Sequence, residues 1–108
     1  MSETYRKELV QRIIRNLLDV QLLRLVQAKP TWGYLIKKKV ETDFDVKLRH
    51  GALYPALNLL EKKGFLTSQK QHTGGRARKV YSITQSGKEF LECYYSIIEE
   101  QIREKGSK

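Results

Sequence analysis

One cysteine, two prolines and one tryptophan in 108 residues leave whole classes of protein out of reach. The lone Cys93 excludes an intrachain disulfide framework, and no cluster of Cys and His has the spacing of a metal site. Cys93 itself is expected as a reduced residue of the core or of an interface, because a free cysteine behaves as a small hydrophobe. No apolar run approaches the roughly 20 residues that span a bilayer, and Met1-Ser2-Glu3-Thr4-Tyr5 lacks the apolar stretch of a signal peptide. A cytoplasmic protein with no membrane partner is the expectation. Catalytic signals are equally scarce. The pair Gly74-Gly75 lacks the following helix and the Lys-Ser or Lys-Thr that a phosphate-cradling loop requires, so no enzyme activity, catalytic residue, metal or cofactor is expected.

Carboxylates are scarce in one place only. The chain has 21 Lys+Arg against 12 Asp+Glu, a formal net charge of +9. Residues 1–48 hold ten basic and six acidic side chains, residues 49–88 hold eight and one, and residues 89–108 hold three and five. A middle nearly free of acid beside an acidic C-terminal stretch suits one face that meets a polyanion and another that meets something else. Nucleic acid is the leading partner.

The length suits a single domain, here residues 1–108. Over residues 3–18, Leu9, Val10, Ile13, Ile14, Leu17 and Leu18 recur at helical spacing. A second helix is expected from Val20 to Ala28. It is apolar on too many sides for a surface helix and should be central. Pro30 interrupts the pattern, Thr31 is the expected cap of a third helix from Trp32 to Thr42, and an acidic turn follows to Asp45. Leu53, Ala56, Leu57 and Leu60 mark a fourth helix, residues 49–63, with Gly64 as its C-terminal stop and its start at His50 or Gly51, given Pro55. Its outer face carries Gly51, Tyr54, Pro55, Asn58 and Lys62. Two extended segments flank Gly74-Gly75, which supplies the φ > 0 positions of a tight turn. Residues 65–84 thus read as a two-stranded ribbon with Arg76, Arg78 and Lys79 at or just after its tip. A last helix covers residues 86–104, and the final Gly106-Ser107-Lys108 should fray.

Three helices and a basic hairpin, flanked by two more helices, spell a mainly α winged helix-turn-helix with a small β-hairpin. Residues 49–63 are then the recognition helix. The terminal helices, 3–18 and 86–104, expose more apolar surface than the small core covers, which a homodimer would bury through Leu9, Ile13, Leu91, Tyr94, Ile98 and Ile102. Such a two-fold dimer also suits a pseudo-palindromic site on double-stranded DNA.

Three motifs, in order and correctly spaced, carry a family resemblance. Trp32-Gly33-Tyr34 opens a helix; Gly51-Ala52-Leu53-Tyr54-Pro55-Ala56-Leu57 is followed by Leu60-Glu61-Lys62-Lys63-Gly64-Phe65-Leu66; and Gly75-Arg76-Ala77-Arg78-Lys79-Val80-Tyr81-Ser82-Ile83-Thr84 precedes Gly87. Over roughly residues 18–92 the chain resembles the PadR family of winged-helix transcriptional regulators, and its length is similar to the branch with one helix after the wing. The resemblance implies a dimer built from the terminal helices and a repressor that, in many members, a small-molecule effector relieves. One departure stands out. Family members often carry Ser or Thr followed by Pro where this chain has Arg49-His50, so the usual N-cap oxygen is missing and a fixed charge sits beside the groove.

Each expected DNA contact has its own chemistry. Arg76 and Arg78 suit the narrow minor groove and Lys79 a phosphate. Tyr54 can donate to phosphate or pack on a thymine methyl, and Asn58 can read adenine. Lys37 and Lys38, in the run Lys37–Lys39, reach the backbone if their helix crosses it, and Arg49 and His50 lie at the recognition-helix start. Tyr34 is expected in the core and His72 in a loop. Trp32 fits a hydrophobic staple, the favoured reading, or part of an effector pocket with Tyr94 and Tyr95. The function these residues support is sequence-specific, DNA-binding transcriptional regulation, with repression as its expected sense. The alternative is a nonspecific chromatin-type or RNA-binding winged helix; a winged helix specialised for protein contacts is disfavoured by the basic wing.

Overall fold

A computed structural model of the chain describes residues 2–106. The element order is α1 (Ser2–Asn16), α2 (Leu18–Ala28), β1 (Thr31–Trp32), α3 (Gly33–Phe44), α4 (His50–Lys62), β2 (Leu66–Thr73), β3 (Arg76–Ile83) and α5 (Gln85–Gly106). The expected fraying of Ser107 and Lys108 lies outside the described residues. No helix among the described residues is long and apolar enough to cross a membrane.

The second helix is central, as its all-round apolarity predicts. In α2, Leu22, Leu23 and Val26 are at most 1% exposed. Ile36 and Val40 of α3, Leu53, Leu57 and Leu60 of α4, Tyr81 of β3 and Leu91 of α5 complete the core around them. Lys29 ends α2 in an extended conformation (φ −171°, ψ 136°), the region to which a residue before proline is confined. Pro30 therefore turns the chain out of the helix already extended, and the next two residues run antiparallel to β3, pairing Thr31 with Tyr81 and Trp32 with Val80. This adds a strand to the expected hairpin: the sheet has three strands in the order β1-β3-β2. Thr31 is correspondingly a strand residue rather than a helix cap, and the N-cap position of α3 is Trp32, without a side-chain cap hydrogen bond.

The third helix runs two residues beyond its expected end. Asp45 stops it in the left-handed region (φ 54°), which Asp tolerates better than most residues, with its N–H on the Glu41 carbonyl. Leu48 then plugs the core at 4% exposure. Its N–H donates to the Glu41 carboxylate at 2.7 Å, closing the turn between α3 and α4. The missing cap is real: Arg49 precedes α4 with no side-chain cap hydrogen bond.

Gly64 (φ 82°) ends α4, and Gly74 and Gly75 (φ 58° and 79°) form the two-residue tip between Thr73 and Arg76. His72, expected in a loop, pairs with Ala77 in the ladder. The Thr84 hydroxyl accepts from the Gly87 N–H at 3.1 Å, capping α5, and donates to the Gly64 carbonyl at 2.6 Å. A Cβ on Gly87 would lie 2.2 Å from the Phe65 carbonyl oxygen, so only glycine lets α5 start this close to the end of α4.

Candidate nucleic-acid interface

A groove of about 870 Å³ separates the outer face of α4 from the free edge of β3. Helical spacing puts Tyr54 and Asn58 on its helix wall, and β1 puts Trp32 at its rim beside Gly33 and Tyr34. The far wall is Arg76, Ala77, Arg78 and Lys79, with Tyr81 at the base. Because β1 pairs with β3 only at Val80 and Tyr81, the backbone of Arg76–Lys79 has no strand on that side.

Tyr54 is 38% exposed and its ring lies parallel to that of His50, with centroids 5.7 Å apart. It also lies against the start of α3: a Cβ on Gly33 would come 2.8 Å from Tyr54 Cε1. Any side chain between Trp32 and Tyr34 would have to displace the Tyr54 ring, so Gly33 is what lets α3 start this close to α4. Tyr34, expected in the core, is 56% exposed. Its position follows the helix geometry, since Gly33, Ile36 and Val40 occupy the inward face of α3 and leave Tyr34 on the groove side. Lys38, one turn on, holds its ammonium 5.8 Å from the Tyr34 ring centroid.

The cations of the wing are held by two different elements. The Arg78 guanidinium lies over the Trp32 ring, 4.6 Å from its centroid. Lys79 reaches the opposite way and pairs with Glu61 of α4 at 3.1 Å. Glu61, the one carboxylate of residues 49–88, also accepts from the Ser68 hydroxyl at 2.5 Å. That hydroxyl bond first, with Lys79 behind it, holds the Glu61 carboxyl below the usual range, and Glu61 in turn raises Lys79. Burial pushes the Tyr81 phenol up. No carboxylate lines the groove among the described residues, and Glu61, which pairs with Lys79 of its wall, is itself balanced by that pair. Arg76 has no acidic partner among the described residues, and Arg49, His50 and Asn58 are exposed.

The three consecutive lysines divide. Lys37 pairs with Glu41 at 3.1 Å and is only 21% exposed, so it braces the α3–α4 turn; Lys39 pairs with Asp43 at 3.2 Å. Lys38 reaches the Tyr34 ring but does not itself line the groove. Trp32, Tyr34 and Glu61 are parts of the site that periodicity and charge runs did not assign. Glu61 had a signal, as the only acid in a stretch with eight cations. The other two depend on β1, which is too short to leave a pattern.

On the far side, the terminal helices leave Leu9 56%, Ile97 52% and Ile102 67% exposed. Ile13, Tyr94 and Ile98 are half-buried around a hollow of about 400 Å³. Leu91, expected on that outer stripe, is instead fully buried in the core of its own chain, because its turn of α5 lies on α2. Cys93 is exposed rather than in the core. Trp32 lines the groove while Tyr94 and Tyr95 line the hollow, so the three aromatics do not make one pocket.

A helix-turn-helix whose second helix faces outward beside a cationic hairpin is a winged-helix protein. Residues 22–93 match the transcriptional regulator PadR-like family, and the chain belongs to that family. It is 34% identical to an uncharacterized protein of Lysinibacillus sphaericus over 82 residues, covering 73% of this chain and 75% of that one. Over 54 residues, half of each chain, it is 43% identical to the transcriptional regulator Rv3488 of Mycobacterium tuberculosis. Among solved structures, smu.1704 from Streptococcus mutans UA159 is similar with a TM-score of 0.67 and 31% identity, over 82% of this chain and 79% of that one. Bacillus subtilis PadR, solved in complex with operator DNA, is similar with a TM-score of 0.69 and 26% identity, over 74% of this chain and 46% of that one.

Proposed function

We propose that this PadR-family regulator is a repressor that binds a pseudo-palindromic DNA site as a homodimer. In this reading α4 enters the major groove, with Tyr54 and Asn58 toward the bases, while the wing lies along the backbone and the adjacent minor groove. The observation that carries it is the groove between α4 and β3, whose walls are aromatic and cationic and carry no carboxylate among the described residues. Arg49, His50 and Lys38 extend the same positive surface toward phosphates flanking the helix. The operator complex of the Bacillus subtilis relative supports the same mode for this chain. Homodimerisation rests on Leu9, Ile13, Tyr94, Ile98 and Ile102, apolar side chains on the two terminal helices that one protomer leaves exposed or half-covered.

The test is a binding titration against a duplex that the protein itself selects from a random pool, and against a scrambled duplex of the same composition. With about 6–10 phosphates neutralised, raising salt from 50 to 200 mM is expected to weaken binding about 10³–10⁵-fold. The selected duplex is expected to win over the scrambled one by about 10³ or more at fixed salt. Equal affinity for both would leave a nonspecific binder, and an affinity indifferent to salt would remove the groove from the mechanism.

A further inference from the structure

We infer that Trp32 is a specificity-determining positioning residue: its indole holds the Arg78 guanidinium in the orientation from which Arg78 probes a DNA groove, so the two act as one unit. The inference deepens the DNA-binding reading and rests on it. In the ladder Trp32 opposes Val80, and Arg78 lies two residues away on the same strand, the diagonal position from which a long side chain reaches an aromatic neighbour. The guanidinium sits 4.6 Å from the ring centroid. Both residues line the groove and both are only partly exposed.

The physical consequence lies in what Arg78 does not have to lose. A free arginine has a large rotamer entropy to lose, and the part already surrendered to the indole is not surrendered again on binding. A guanidinium lying over the ring leaves the N–H donors that point away from the indole available to phosphate or base edges. Lysine offers a point charge without that plane, so it keeps the attraction to DNA and loses the orientation. The element order explains why the platform comes from β1: it is the one segment beside β3 on the groove side, and the adjacent cation, Lys79, is tied to α4 instead.

Trp32 is the sole tryptophan, so tryptophan emission reports the surroundings of this one indole. The first arm needs no DNA. Arg78→Lys and Arg78→Ala should each shift the emission of the free protein and change its quenching by acrylamide; an unchanged spectrum in both would overturn the stack. The second arm titrates the wild type with the selected and scrambled duplexes, which tests the DNA-binding reading by itself. The third arm measures Trp32→Leu, Arg78→Lys and the double variant on both duplexes. Each single variant is expected to lower the preference for the selected duplex roughly 3- to 10-fold, the range one cation–ring contact supplies. The double variant is expected to be no worse than either, and Trp32→Phe should restore most of the preference. Arg78→Lys keeps its charge, so the salt slope should stay that of the wild type. Additive losses, or a Trp32→Leu that weakens both duplexes equally, would reduce Trp32 to a structural residue. If the wild type bound neither duplex, the functional reading would fall in the second arm, while the first would still decide the stack.

Discussion

Tyr54 and Asn58 stand one turn apart on the groove wall, but only Tyr54 also packs against another helix. Asn58 has no other stated role, so Asn58→Ala should cost discrimination alone, roughly 1–3 kcal/mol between selected and scrambled duplexes. Tyr54 also fills the space over Gly33, so Tyr54→Ala should lower both discrimination and melting temperature. Arg76→Ala, at the wing tip, should weaken both duplexes by similar factors, because a cation on backbone or groove shape positions rather than reads. Competition binding separates these patterns, and an Asn58→Ala protein with unaltered discrimination would take that side chain out of the interface. A single residue also governs folding. Gly87→Ala would drive a methyl into the Phe65 carbonyl, which cannot move without shifting the end of α4. Overpacking of this kind costs roughly 1–3 kcal/mol, and the loss should appear as a lower midpoint in urea unfolding. A midpoint equal to that of the wild type would mean that α5 starts further away than 2.2 Å allows.

At the scale of elements, the Glu61 link between α4 and the wing has a pH signature on both of its partners. Its folded carboxyl titrates below the ordinary 4.5, so its contribution is complete above that value and is lost as pH falls through the lower one. Lys79 is raised from 10.5, so its contribution is complete below that value and is lost as pH rises through the higher one. The stability difference between wild type and Glu61→Gln should therefore be flat from about pH 5.5 to 9.5 and shrink below 4.5. Thermal melts across that range check it, and a difference that persisted undiminished at pH 3 would detach Glu61 from the wing. Which elements the sequence disclosed follows the same physics. Helices declared themselves through the spacing of Leu53, Leu57 and Leu60, and the hairpin through Gly74-Gly75. Two residues of strand carry no periodicity, so β1 was invisible, and with it the partner of Arg78. Tyr34 was misplaced for a related reason: its hydropathy suits either side of a helix, and only the positions of Gly33 and Ile36 fix which side faces in. Leu91 likewise belongs to the apolar stripe of α5, but spacing alone cannot say whether a stripe meets its own chain or another.

For the whole molecule, the decisive prediction concerns assembly. Glu in place of Ile98 and Ile102 would set charge on the apolar surface of α5 and is expected to yield monomers in sedimentation, with operator affinity falling accordingly. An unchanged dimer would move the contact elsewhere. The hairpin bears on molecular behaviour in another way. Its two eight-residue strands project with β2 unpaired along its outer side and β3 unpaired beside Arg76–Lys79, both being edges onto which a foreign strand could add. Lys70, Arg76 and Arg78 stand on those strands, cations whose mutual repulsion between copies discourages edge-to-edge pairing. Arg76 and Arg78 also line the groove, so the same side chains serve both surfaces. Salt screens that repulsion, so edge-to-edge association of the protein is expected to rise with ionic strength.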